Sequence, residues 1–116
     1  MGAEEGTIVG AVEHRLRTLV LVAAGLDDGR PPEVDGVNFA SRVRVPVLMV
    51  NGRHDFSAPF ETNQMPLFRL LGSPAKDKKH VVFESGHVPP WPDVVRETLD
   101  WLDRFLGPVA TGPPGP

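Results

Sequence analysis

The sequence contains no cysteine among its 116 residues. Disulfide frameworks, thiolate metal sites and cysteine nucleophiles are therefore excluded together. Long hydrophobic runs are also missing, because the longest apolar stretch, residues 19–24, is far too short to span a bilayer. The first residues, MGAEE, are acidic where a signal peptide needs a basic start and an apolar run. We expect a soluble cytoplasmic protein that does not bind membranes.

An excess of positive charge is absent as well. Twelve Lys and Arg stand against 15 Asp and Glu, and the basic residues are scattered along the chain. Because proteins that bind nucleic acids through phosphates carry a basic patch or stripe, we expect no nucleic-acid partner. His14, His54 and His80 have no spacing typical of metal ligation, and we interpret them as surface or strand-edge residues. We expect neither a metal nor a cofactor.

Three short runs predict β-strands. Residues 19–22 and 45–50 are nearly continuous apolar runs rich in β-branched side chains. That pattern is typical of strands buried on both faces of a parallel sheet. Residues 80–84 form a third, shorter candidate, which follows the polar run 76–79 and precedes a Ser-Gly pair.

Two apolar patterns with helical spacing follow the second and third strands. The first begins after Pro59 and ends before Gly72, and the second begins after Pro92 and ends before Gly107. Proline is favoured in the first turn of a helix and glycine just past its end. Both segments are therefore predicted to be helices.

Weaker patterns complete the prediction. Residues 7–14 are expected to form a shorter helix and residues 37–43 a turn or two. We interpret Trp91 and Trp101 as packing residues on or before the last helix. Alternating helices and strands favour an α/β fold, here a small three-stranded parallel sheet with flanking helices.

One domain, residues 1–108, accounts for all of these elements. Only Pro, Gly, Ala, Thr and Val occur in residues 109–116, which are expected to form a disordered tail.

Asp55 and His87 are the candidate catalytic residues. Each comes just past the carboxyl end of a predicted strand, where open α/β sheets place their active residues. If the strands are parallel neighbours, a carboxylate oxygen should lie roughly 2.6 to 3.2 Å from a ring nitrogen. Such a carboxylate would fix the imidazole tautomer and leave the other nitrogen free as a general base. Taken alone, an Asp such as Asp55 is more often a residue of a turn that caps the following helix.

The residues around this pair resemble a known family. The run 44–55, RVPVLMVNGRHD, the Ser-Gly-His loop ending at His87 and the terminal helix resemble the last third of α/β-hydrolases. The closest branch comprises prolyl-oligopeptidase and dienelactone-hydrolase-like esterases, including hydrolase domains appended to bacterial protein kinases. In that family a strand ending in Gly-x-x-Asp carries the triad acid, and the triad histidine follows the next strand. The resemblance, over residues 7–108, implies these roles for Asp55 and His87.

The family's nucleophile motif, Gly-x-Ser-x-Gly, does not occur in this sequence. Counting back along the first predicted helix, residues 1–3 fall where the residues directly after the nucleophilic serine would be. We therefore expect a truncated α/β-hydrolase with an incomplete triad, which begins about one residue too late. Part of the oxyanion hole would be lost with the serine.

Two functions stay open. The first is a minimal esterase-like hydrolase that acts weakly on small carboxylic esters through Asp55 and His87. Its attacking group could be water activated by the pair, Ser57, Ser85, or a serine of another chain, and water needs the least rearrangement. The second is a catalytically inactive fragment that serves as an association module. In either case strand 19–24 would lack a neighbour on one side, so we expect a homodimer paired across that edge.

Overall fold

The computed structural model describes residues 2–26 and 30–108. The predicted tail, residues 109–116, lies outside these residues, and so does Met1. The helices and strands are α1 (Gly2–Val12), β1 (Leu19–Val22), β2 (Val47–Gly52), α2 (Met65–Leu70), β3 (Lys78–Phe83) and α3 (Trp91–Leu106). All three strands are parallel, in the order β1-β2-β3. The predicted fold class is therefore confirmed.

The central strand, β2, is buried along its whole length. It begins and ends two residues later than predicted. The Val45 carbonyl, just before its start, accepts a hydrogen bond from the Ser73 hydroxyl at 2.5 Å. The third strand begins earlier than predicted, since Lys78 and Lys79 pair with β2. The Lys78 ammonium donates to carbonyl oxygens at the end of α2, which makes a charged residue acceptable there.

Helices cover both faces of the sheet, so the chain has three layers. On one face α1 and α2 enclose a core that includes Leu21, Val47 and Met49. On the other face α3 contributes Val94 and Trp101 to a second core with Leu48 and Val50. Alternate residues of β2 point into opposite cores, which explains its continuous apolar sequence. Within the described residues, no helix is long and apolar enough to cross a membrane.

The first helix begins five residues before its predicted start and ends two residues before its predicted end. Its contact with the sheet uses Gly6 and Gly10 rather than an apolar stripe. A Cβ added at Gly6 would lie 3.1 Å from the side chain of Leu21. A Cβ added at Gly10 would lie 2.8 Å from the side chain of Leu19. The helix therefore approaches β1 closely through a glycine face, which an apolar pattern cannot predict.

The other helical predictions hold in outline. The segment after Pro59 forms a π-helical turn, Phe60–Gln64, that continues into α2. Residues 37–43 fall mostly within two 3₁₀ turns, Gly36–Asn38 and Ala40–Arg42.

The two tryptophans have different environments. Trp101 is 4% exposed, as expected of a packing residue, and its indole N–H donates to the Thr18 hydroxyl at 2.8 Å. Trp91 is 68% exposed, so its interpretation as a packing residue is wrong. It is the first residue of α3 and is not among the residues that pack in the core on that face.

His80 lies inside β3 and is partly buried. Its ring stacks between those of Phe60 and Phe68, at centroid distances of 6.0 and 5.4 Å. Its Nε2 lies 3.0 Å from the amide oxygen of Asn51. Burial, with a smaller contribution from the positive charge of Arg53, lowers the pKa of His80 below its usual value. His80 therefore lies in the edge strand of the sheet, as expected from sequence, and its ring packs there against the two phenylalanines.

We predict that His80 makes the folded state sensitive to acid. Because its pKa is lower in the folded than in the unfolded state, the unfolded chain takes up the proton first as the pH falls below about 6.5. The free energy of unfolding should therefore decline as the pH falls through about 6.5, and less steeply in His80→Gln. Urea denaturation at a series of pH values measures both slopes, and parallel slopes would contradict the prediction.

Candidate active site

Asp55 and His87 meet beyond the carboxyl ends of β2 and β3. The His87 Nδ1 lies 2.8 Å from Oδ2 of Asp55, within the range expected from sequence. The Asp55 side chain is fully buried and that of His87 is 53% exposed. Because an ionised carboxylate can only accept, the proton of this bond is on Nδ1, which leaves a lone pair on Nε2 of a neutral imidazole. No residue in the described part of the chain forms a hydrogen bond with this Nε2.

The second carboxylate oxygen of Asp55 bonds to the backbone of the loop that follows Asp55. Oδ1 accepts from the backbone N–H of Ser57 at 2.7 Å and of Ala58 at 3.2 Å. The turn-capping and histidine-orienting interpretations of Asp55 therefore both apply, one through each oxygen. Three hydrogen bonds satisfy a carboxylate that would otherwise be costly to bury.

Gly52, the glycine of the Gly-x-x-Asp run, allows the two loops to touch. A Cβ at residue 52 would lie 2.5 Å from the Ser85 carbonyl oxygen and closer still to that of Gly86. Such distances are too short for any side chain to be accommodated without movement of the backbone. The absence of a side chain at residue 52 therefore brings the loop that carries His87 against β2.

Backbone hydrogen bonds continue the pairing of the strands into these loops. The Arg53 N–H donates to the Phe83 carbonyl oxygen at 2.9 Å, and the His54 N–H donates to that of Ser85 at 3.0 Å. The segment before Asp55 and the segment before His87 are thus bonded to each other directly, and the pair is positioned by main chain rather than by mobile side chains.

The two serines proposed as substitute nucleophiles lie in the same loops. Ser57 is exposed, and its backbone N–H is bonded to Asp55. The Ser85 hydroxyl donates to the Gly86 carbonyl oxygen at 3.3 Å. Neither hydroxyl forms a hydrogen bond with His87, although all three residues are described by the structure. Neither is therefore engaged as the serine of a triad would be.

A second histidine–carboxylate pair lies on the surface nearby. Glu84 accepts from both His54 and Arg53 at 2.9 Å. These bonds, first that from His54 and then that from Arg53, lower the pKa of Glu84. All three side chains are substantially exposed. The part of the chain that the structure describes contains no group of three or more side chains suited to hold a metal ion.

Sequence reasoning left Phe56 and Val88 unassigned and interpreted Trp91 as a packing residue. Three apolar side chains that follow Asp55 or His87 closely in sequence are exposed. We call them the apolar rim: Phe56 is 99% exposed, Val88 74% and Trp91 68%. Phe56 directly follows Asp55, and Val88 directly follows His87. Exposed apolar side chains that adjoin candidate catalytic residues in sequence are typical of a surface that contacts a ligand. Their positions directly after the candidate catalytic residues are the sequence signal that could have identified Phe56 and Val88.

Comparison with solved structures identifies the fold. A cold-adapted esterase from an Arctic intertidal metagenomic library, in a zinc-bound structure, is 28% identical with a TM-score of 0.77. An esterase of Pyrococcus furiosus is 13% identical with a TM-score of 0.72, and a Thermus thermophilus protein is 18% identical with a TM-score of 0.69. The chain has part of an α/β-hydrolase fold.

The resemblance inferred from sequence is thereby confirmed at the level of the superfamily. The matches cover 91%, 90% and 92% of this chain but 46%, 51% and 52% of the three proteins, in the same order. The chain thus spans about half the length of the proteins it matches. No family model matches the sequence, and no curated protein matches it either.

We predict that Gly52→Ala separates Asp55 from His87. The added methyl group must displace the backbone at Ser85 and Gly86, and the free energy of unfolding should fall by about 1 to 3 kcal/mol or more. The NMR signal of the His87 Nδ1 proton should shift or broaden.

Gly86→Ala is the matched control for this substitution. A Cβ at residue 86 would meet nothing within 4 Å, so stability and the Nδ1 signal should stay close to those of the wild type. Equal effects of the two substitutions would contradict the close-approach argument.

Proposed function

We propose that this chain is a minimal hydrolase of small carboxylic esters, in which Asp55 orients His87 and His87 acts as general base. The observation that carries the proposal is the 2.8 Å bond to a fully buried carboxylate, which leaves the other ring nitrogen free and exposed. The fold that the chain shares with esterases supports the same chemistry. Since fold alone does not determine activity, the site geometry is the stronger support.

The proposed reaction uses water as the nucleophile. His87 Nε2 takes a proton from a water molecule while the water oxygen bonds to the ester carbonyl carbon. The imidazolium, stabilised by Asp55, then returns the proton to the alkoxide oxygen as the carbon–oxygen bond breaks. The products are a carboxylic acid and an alcohol, and the enzyme returns to its initial protonation state. Water is favoured over Ser57 and Ser85 because neither hydroxyl is hydrogen bonded to His87.

The apolar rim favours esters with a hydrophobic acyl or aryl group. Phe56 and Val88 adjoin the two catalytic residues in sequence and are largely exposed. Their contact with an apolar substrate group would remove hydrophobic surface from water on binding.

A second candidate function, association, is favoured by the open edge of the sheet. Within the described residues β1 pairs only with β2, and its outer edge has no partner strand. The N–H groups of Leu19 and Ala23 donate to β2, so by the alternation along a strand the N–H of Val20 faces outward. A second copy could pair with this edge about a two-fold axis, giving a homodimer with a continuous six-stranded sheet.

We predict that the protein hydrolyses an activated aryl ester such as p-nitrophenyl acetate. His87→Ala should reduce kcat/KM roughly 10²- to 10⁴-fold, because it removes the general base. Release of p-nitrophenol, followed by absorbance, measures the rate.

His54→Ala is the control for this experiment, since His54 is a neighbouring exposed histidine that contacts Glu84 instead of Asp55. Ser57→Ala and Ser85→Ala should also retain the wild-type rate if water attacks. An unchanged rate in His87→Ala would reject the proposal, and a lost rate in either serine variant would replace water with that hydroxyl.

We predict a homodimer at micromolar concentration. Val20→Pro removes an N–H that faces away from β2, so it should produce monomers without breaking a bond within the sheet. Sedimentation velocity measures the mass of each variant. Val20→Thr, which keeps both the N–H and the branched shape, should stay dimeric. A monomeric wild-type protein would contradict the prediction, and a dimeric Val20→Pro would assign the interface to another surface.

A further inference from the structure

Gln64 is completely buried behind the loop that carries Asp55. Its side-chain Nε2 donates two hydrogen bonds, to the carbonyl oxygen of Gly52 at 2.8 Å and to that of Ala58 at 2.7 Å. Gly52 is the last residue of β2, and Ala58 is the residue whose N–H is bonded to Asp55. One amide group therefore joins the two ends of the Asp55 loop.

The π-helical turn Phe60–Gln64 places this side chain. The N–H groups of Asn63 and Gln64 both donate to the Pro59 carbonyl oxygen, at 2.9 and 3.1 Å. Gln64 is the last residue of this turn, and its side chain contacts the loop through the two bonds described above. Short π-helical turns are rare in proteins and occur frequently at functional sites.

The orientation of the Gln64 amide is fixed by its partners. Both neighbours are carbonyl oxygens, so the NH₂ group must face them and the amide oxygen must point away. That oxygen is buried, and it has no hydrogen-bond partner among the described residues. A buried polar atom without a partner lowers stability, and an apolar side chain of similar size would avoid this cost. The two donated bonds are thus the feature that a glutamine supplies at this position.

We propose that Gln64 is a positioning residue for the Asp55–His87 pair. By fixing the carbonyl groups of Gly52 and Ala58, it holds the loop in the conformation in which Oδ1 of Asp55 meets the Ala58 N–H. With Oδ1 held, Oδ2 is directed at Nδ1 of His87. The catalytic consequence rests on the proposed function, whereas the geometric consequence does not.

The test compares Gln64→Met with the wild-type protein. Methionine has a similar length and no donor, so it keeps the volume and removes both bonds. The first readout is the NMR signal of the His87 Nδ1 proton, which lies against the buried carboxylate. The second is ester hydrolysis. We expect the signal to shift or broaden and kcat to fall roughly 10- to 100-fold with little change in KM, since a misplaced base impairs the chemical step.

Ser73→Ala is the matched control. The Ser73 hydroxyl is also buried and also donates to a backbone carbonyl, that of Val45. Val45 comes just before β2, so this bond is at the opposite end of the strand from Asp55. The substitution should lower the stability while leaving the Nδ1 signal and kcat intact. Near-ultraviolet circular dichroism of the buried Trp101 shows whether each variant is folded.

The outcomes separate the two proposals. A folded Gln64→Met with the wild-type Nδ1 signal overturns the positioning role, and so does a Ser73→Ala variant that alters the signal equally. If the signal changes only in Gln64→Met but the wild-type protein hydrolyses no ester, the positioning role stands and the proposed function fails.

Discussion

The parallel pairing of β2 with β3 is the constraint on which the rest of the structure depends. Their register aligns Gly52 with Phe83, and main-chain bonds continue this pairing past the ends of both strands. Asp55 and His87 follow these ends and therefore meet at one edge of the sheet. A register shifted by one residue would exchange the faces of every side chain in β3 and separate the pair.

Buried polar groups concentrate at the same edge and join backbone segments that the strands alone leave apart. The Asn51 amide N–H donates to the Ala24 carbonyl oxygen at 2.8 Å, and its amide oxygen lies 3.0 Å from Nε2 of His80. Asn51 therefore links the segment after β1 to the interior of β3 across β2. The Gln64 amide and the Asp55 carboxylate bond to the backbone of the loop after β2, at Gly52 and Ser57 respectively. Since buried polar groups stabilise a fold only when they are bonded, these residues make the conformation of the edge specific.

Sequence predicted the sheet, its order of elements and the meeting of Asp55 with His87, because strand patterns and their carboxyl ends depend on local composition. It did not predict features that depend on contacts distant in sequence. Gly6 and Gly10 bring α1 close to β1, the Ser73 hydroxyl bonds to the Val45 carbonyl before β2, and Gln64 at the end of a π-helical turn is buried. None of these leaves an apolar period in the sequence.

In the proposed reaction, neutral His87 is the base that starts ester hydrolysis. NMR of the imidazole carbons gives the fraction of neutral His87 at each pH, and p-nitrophenyl acetate gives the rate in the same samples. We expect kcat/KM to rise with pH in proportion to the neutral fraction of His87. A rate that followed another ionisation, or that did not change while His87 lost its proton, would contradict it.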